Sequence, residues 1–265
     1  MCFDLNSSPP IFNRPRTQAS GQHLSLVSAD QARFLAFRAV PDEPSGAGVL
    51  VLPDNRGLYP FYEQLALHLA EQGHYALAID YYGRTAGASA RDEKFPFLQH
   101  MSQLKRESLD RDIETAAKYL HTAEGGACGS TFALGFCFGG RQAFFASAPR
   151  FGFTGVIGFY GAPSRYPNGA PGPIERAHEL RAPVLAIFGG ADHAIPLADI
   201  KGFDEALTRA GVPHEFVQYP DAPHSFFDIG SSDFQGECAD AWKRVCEFVA
   251  DPTSSRGNRL RVQRC

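Results

Sequence analysis

The chain has 265 residues, 44% of them hydrophobic and 20% charged. That is too long for a small disulfide-stapled scaffold and long enough to bury a core of its own. Twenty-five basic residues against 29 acidic ones leave a net charge of −4, which gives no whole-protein field for nucleic acid or an anionic membrane. No apolar run approaches the roughly 18 residues that would span a bilayer. The opening MCFDLNSSPP has neither the basic nor the apolar region of a secretory signal. Cysteines stand at Cys2, Cys128, Cys137, Cys238, Cys246 and Cys265 without CxxC or zinc-site spacing. Reduced thiols in a cytoplasm are the economical reading, with no metal site.

In chain order, residues 1–21 are rich in Ser, Pro, Asn and Arg and read as an extended arm. Two short alternating runs, His23–Val27 and Arg33–Ala39, flank Asp30 and Gln31 and predict a hairpin. Gly48–Leu52 is a continuous apolar run of buried-strand type. Phe61, Leu65 and Leu69 then recur at helical spacing, with Gly73 as a stop. Tyr75–Ile79 reads as a strand, and Leu109, Ile113, Ala116, Ala117 and Leu120 place a helix over 103–121. Thr131–Gly135, Gly155–Phe159 and Val184–Phe188 are further apolar strands. A helix marked by Ile200, Phe203, Leu207 and Ala210 ends at Gly211 and leads to a strand at His214–Gln218. Cys238, Ala241, Trp242, Val245 and Val249 give a last amphipathic helix. Repeated β-then-α order predicts a single α/β domain over 22–250, a mostly parallel sheet with helices on both faces. Residues 251–265, with Arg256, Arg259, Arg261 and Arg264, read as a solvated basic tail.

The most informative stretch is TFALGFCFGG at 131–140. A strand runs into Gly135-Phe136-Cys137-Phe138-Gly139 and then a helical pattern, which is the G-x-nucleophile-x-G elbow with cysteine at its centre. Side chains two residues either side of the nucleophile would collide in so sharp a turn. The turn also places Cys137 at a helix N-terminus, where unpaired N–H groups and the helix dipole favour a thiolate. The N–H of Phe138 would be one donor to a developing oxyanion. The competing reading is a buried structural cysteine in a tight turn.

An elbow of this kind is followed in chain order by an acid and a base, each on a loop after a later strand. Val184–Phe188 runs into GGADHAIP at 189–196, which puts Asp192 just past a strand end, where open parallel sheets gather their catalytic groups. After the next strand, YPDAPHSF at 219–226 carries His224. Cys137, Asp192 and His224 therefore satisfy the nucleophile–acid–base order, with His224 exchanging a proton with the thiol and Asp192 fixing its tautomer. Among nine histidines, His193 is a competing base by type, and His214, at the start of a strand, reads as structural. Asp221 is a competing orienter. The turn after Gly48–Leu52, Pro53-Asp54-Asn55-Arg56-Gly57-Leu58, supplies a second oxyanion donor in this layout, the N–H of Asn55. Asp54 would lie beside the elbow. Arg84, in Asp80-Tyr81-Tyr82-Gly83-Arg84, suits a substrate carboxylate; for it and for Arg56 a structural or surface ion pair is the other reading.

Together these stretches resemble the dienelactone hydrolase family, the carboxymethylenebutenolidases of the α/β-hydrolase superfamily, over roughly residues 22–249. The resemblance rests on GFCFGG at 135–140, GFYG at 158–161, GGADHAIP at 189–196 and YPDAPHSF at 219–226, with DNRGL at 54–58 and DYYGRTAG at 80–87. It implies an α/β-hydrolase fold, a Cys137–His224–Asp192 triad, and cofactor-free opening of an enol-lactone through an acyl-thioester. The family's thiol-restraining glutamate falls on Asp54, one methylene shorter. One carboxylate-binding arginine of the family matches Arg84, whereas a second falls on Asp228, which would repel a carboxylate.

The leading expectation is thus a cysteine-dependent hydrolase of a lactone or activated ester, as monomer or homodimer, without nucleic-acid or membrane partners. Phe61, Tyr62, Tyr82, Phe95, Phe97, Phe138 and Tyr160 fall in or near the loops that should wall an apolar pocket. Two other readings are a binding module with a vestigial triad and thiol redox chemistry at Cys137, for which Cys128 is the candidate resolving thiol.

Overall fold

The computed structural model describes residues 3, 6–10, 14–92, 94–252 and 259–263. The predicted hairpin forms as β1 (Ala19–Val27) and β2 (Arg33–Pro41), paired antiparallel. The continuous apolar runs become the interior of the sheet: β3 (Ala47–Leu52), β4 (Tyr75–Ile79), β5 (Ser130–Phe136), β6 (Gly155–Phe159), β7 (Val184–Gly189) and β8 (His214–Tyr219). Nearly every residue in these six strands is buried, as it must be where successive side chains point to opposite faces and helices cover both. The sheet runs β1-β2-β4-β3-β5-β6-β7-β8, with β2 antiparallel to β4 and every later pairing parallel. This is the α/β-hydrolase fold.

The principal helices are α1 (Pro60–Glu71), two short ones, α2 (Gly83–Ala86) and α3 (Phe97–Met101), then α4 (Arg106–Leu120), α5 (Phe138–Ala146), α6 (Leu197–Ala210) and α7 (Gln235–Ala250). Helix α1 starts with proline at its first position, where no N–H is needed. Helix α6 stops at Gly211, which takes a left-handed φ of 69°. Because β3 to β8 are parallel, the turns after all six open at one edge of the sheet. Asp54, Asp80, Cys137, Tyr160, Asp192 and His224 each follow a different strand there, so the topology alone gathers them.

Both chain ends depart from the sequence expectation. Described residues of the supposed arm over 1–21 are docked on the body: Phe3 is buried, Arg16 and Thr17 donate to the carbonyl of Glu71, and β1 begins at Ala19. Burying a phenylalanine ring contributes about 1.5–3 kcal/mol, enough to hold a chain end. The supposed solvated tail contains a ninth strand, β9 (Arg259–Val262), parallel to β8 with Glu215 opposite Arg259 and Gln218 opposite Val262. An uncovered edge at β8 would present unpaired backbone groups, and β9 satisfies them. Arg261 lies 3.9 Å from Glu215, a carboxylate already held by Arg244 at 2.6 Å. Arg256 and Arg264 lie outside the described residues.

Candidate active site

Cys137 sits between β5 and α5 with φ 53° and ψ −111°. A positive φ on a residue with a Cβ costs about 1–3 kcal/mol and persists only where the surroundings impose it. Here the Cys137 N–H is held by the carbonyl of Phe159 at 3.0 Å, and its own carbonyl accepts the Arg141 N–H at 3.1 Å. The flanking glycines are needed for close approach. A Cβ on Gly135 would lie 2.0 Å from the carbonyl oxygen of Gly139, and one on Gly139 would lie 2.0 Å from that of Leu52. Any side chain at either position would push α5 off the strands. Cys137 is half-buried and in no disulfide.

The loops after β7 and β8 bring Asp192 and His224 together. His224 Nδ1 is 2.6 Å from Asp192 Oδ2, and the other oxygen of that buried carboxylate accepts the Ala194 N–H at 2.8 Å. The carboxylate is thus fixed by its own loop and presents one oxygen to the imidazole. His193 and Asp221 are exposed, and neither takes this place. His214 bonds the Val212 carbonyl and Asp204 and is structural. Tyr160, at an unusual φ of 37°, lays its ring 4.9 Å from that of His224.

The turn after β3 is tied down from several directions. The Tyr62 hydroxyl accepts the Asp54 N–H at 2.9 Å, Tyr81 donates to the Pro53 carbonyl at 2.7 Å, and Tyr82 donates to the Asn55 carbonyl. Below it, buried Asp80 accepts the N–H groups of Leu58 and Tyr82 and pairs with buried Arg91 at 2.7 Å. The Asn55 N–H finds no acceptor among the described residues. That of Phe138, the first residue of α5, has no intrahelical acceptor. Asp54 is only 1% exposed, and burial pushes its carboxyl up to about 6, against the opposing pull of the Arg56 N–H, the Tyr62 hydroxyl, the Arg56 charge and the Phe3 backbone.

Other expected site residues are placed elsewhere. Arg84 does not face the site with a free guanidinium: it grips Asp112 through Nη2 at 2.6 Å and Nε at 3.1 Å, and Asp30 through Nη1 at 2.7 Å. The buried Asp112 on α4 and the hairpin acid Asp30 satisfy it, so the structural ion pair is the reading the geometry supports. Arg56 has no carboxylate within ion-pair distance among the described residues and lies 6.0 Å from the centre of the Phe97 ring. Asp228 accepts the N–H groups of Ser8 and Gly230, both at 3.1 Å. Of the aromatics, Phe61, Tyr62, Tyr82 and Tyr160 are fully buried, which leaves Phe95, Phe97 and Phe138 partly exposed. A cavity of about 530 Å³ opens beside Phe138, lined also by Leu104, Lys105, Gln142, Tyr166 and Arg176. Cys128 lies against Gly48 at the far end of β5 from Cys137, roughly 20 Å of extended chain away, too far for a disulfide.

The dienelactone hydrolase family model matches residues 34–252. The chain belongs to that family. A carboxymethylenebutenolidase of Rhodococcus opacus is 31% identical over 261 residues, covering 94% of this chain and 96% of its own. Among solved structures, a Klebsiella pneumoniae protein provisionally named as a dienelactone hydrolase superposes with a TM-score of 0.75 at 24% identity, covering 88% of this chain and 99% of that one. A dienelactone hydrolase-like promiscuous phosphotriesterase from metagenomic libraries gives 0.71 at 20% identity, covering 88% and 98%. The protein is accordingly a dienelactone hydrolase-like hydrolase of the ester and lactone class. No helix among the described residues is long and apolar enough to cross a membrane.

The sequence reading placed Tyr62 among the pocket-walling aromatics and not as the partner of the Asp54 N–H, and it passed over the Asp80–Arg91 pair and Phe3. Asp80 carried a usable signal, since it directly follows a strand at the edge that gathers Cys137, Asp192 and His224. Nothing in the spacing of Tyr62 announces its hydrogen bond to the Asp54 turn, and nothing in that of Arg91 or Phe3 singles them out.

Proposed function

We propose that the protein hydrolyses a lactone or activated carboxylic ester through an acyl-thioester on Cys137. The observation that carries this reading is the 2.6 Å contact between His224 Nδ1 and Asp192 Oδ2, at the same sheet edge as the strained cysteine elbow. With Nδ1–H committed to Asp192, Nε2 of His224 is the nitrogen left to take the thiol proton. The Cys137 sulfur then attacks the carbonyl carbon, and the N–H groups of Asn55 and Phe138 stabilise the oxyanion. The C–O bond breaks, His224 returns the proton to the departing oxygen, and the acyl group stays on sulfur. In the second half His224 takes a proton from water, hydroxide attacks the thioester, and the acid leaves with the thiol restored. Asp192 stabilises the imidazolium in both halves.

Partly exposed aromatics and the cavity beside Phe138 suit a small ring or a short aryl ester. With Arg84 occupied, Arg56 is the cation we assign to a substrate carboxylate. The Rhodococcus relative makes dienelactone the first lactone to try. Hydrolysis of a short aryl ester and of cis- and trans-dienelactone is measured for wild type, Cys137→Ala and His224→Ala. Turnover that disappears in both variants is expected. A Cys137→Ala protein as active as wild type would refute the mechanism.

A further inference from the structure

The N-terminal segment is clasped to the loop that carries the imidazole. The Ser8 N–H donates to Asp228 Oδ1 at 3.1 Å, and the Ser8 carbonyl accepts the Ile229 N–H at 2.9 Å. Both partners follow closely on His224. Further toward the N-terminus, the buried ring of Phe3 stacks on Phe61 with centroids 3.8 Å apart and lies edge-on to Phe136 at 6.1 Å and Tyr160 at 6.5 Å. Phe136 directly precedes Cys137, and Tyr160 separates Phe3 from His224 by a single ring. Phe3 also lies edge-on to Tyr62 at 6.3 Å, the ring whose hydroxyl holds the Asp54 N–H. Phe3 therefore meets helix α1, the end of the strand that leads into the elbow and the turn after β6 together. The clasp ties the same N-terminal segment to the His224 loop.

We propose that Phe3 is a specificity-determining residue, a wall brought in from the N-terminus that limits the bulk of the acyl group accepted on the Asp54 side of the thiol, with the Ser8–Asp228 clasp as its positioning contact. This rests on the ester-hydrolase reading above. A wall ring acts unevenly on substrates of different size, because each methylene admitted to an apolar pocket is worth about 10-fold or more. A ring that only supports the fold lowers activity on every substrate alike.

The test takes full-length wild type, Phe3→Ala and Asp228→Ala through kcat and KM on p-nitrophenyl esters from acetate to octanoate. Alongside, Cys137 alkylation is followed by peptide mass spectrometry with iodoacetamide and with its bulkier N-benzyl derivative. For Phe3→Ala the octanoate-to-acetate ratio of kcat/KM rises about 10-fold, mainly through KM, and the bulky-to-small alkylation ratio rises with it. Asp228→Ala shifts both ratios the same way by less, and it decides the matter if Phe3→Ala does not fold. Ratios within twofold of wild type overturn the proposal. A wild type that turns over no ester defeats the hydrolase reading, while the alkylation ratio still decides the role of Phe3.

Discussion

Replacing Asp54 by asparagine isolates the cost of keeping a carboxylate in the turn beside the elbow. In the folded protein the group is 1% exposed and its pKa is raised from 3.8 to about 6. The folded state therefore holds a proton that the unfolded chain releases, so stability falls as pH rises through that window. Below the unfolded value both states are protonated and the cost vanishes; above the folded value it is fully present. A shift of about two units at 1.36 kcal/mol each puts the full cost at about 3 kcal/mol. Asparagine does not titrate, and its Oδ1 can still accept the Arg56 N–H that Asp54 accepts at 2.8 Å. The stability difference between Asp54→Asn and wild type should therefore move in favour of the variant by about 2–3 kcal/mol between about pH 4 and pH 7. In a chain of this length that is a relative gain of roughly 4–6 °C in melting temperature. Thermal unfolding of both proteins across that range reads it, because groups that do not interact with Asp54 cancel in the difference. A difference that stays constant with pH would refute the burial argument.

Asp192→Asn keeps the shape of the orienter but loses its charge, and kcat on an aryl ester should fall about 10²–10⁴-fold with little change in KM. Arg84→Ala strands the buried carboxylate of Asp112 and should cost on the order of 1–3 kcal/mol in denaturant unfolding. Its KM for a carboxylate-bearing substrate should not move, and a large rise there would return Arg84 to the site. Arg56→Ala has the opposite signature: KM rises about 10-fold for a carboxylate-bearing ester or lactone and not for a neutral ester, as loss of one charge-assisted contact requires. Gly135→Ala places a methyl 2.0 Å from a backbone oxygen, so it should yield little soluble protein; a fully active Gly135→Ala enzyme would contradict the elbow packing.

Much of the molecule follows from local pattern. Apolar runs such as Gly48–Leu52 and Val184–Phe188 are strands because a run of that length with no polar alternation has to be buried on both faces. Gly135, Cys137 and Gly139 announce the elbow because only glycines allow backbone to approach within about 3 Å of backbone there. Asp192 and His224 were legible because parallel topology sends every strand-end turn to one edge, so chain order after the elbow translates into proximity. The tertiary structure alone decided which charges are free to act. Arg84 and Arg56 look alike in sequence, yet Arg84 finds two carboxylates from distant segments, Asp30 and Asp112, and Arg56 finds none among the described residues. It also decided the chain ends. Compositional bias read residues 1–21 as an extended arm and 251–265 as a solvated tail, but Phe3 had an aromatic cluster to fill and Arg259–Val262 an open strand edge to pair. Ion pairing, ring packing and edge coverage join residues far apart in the chain, and no local period encodes them.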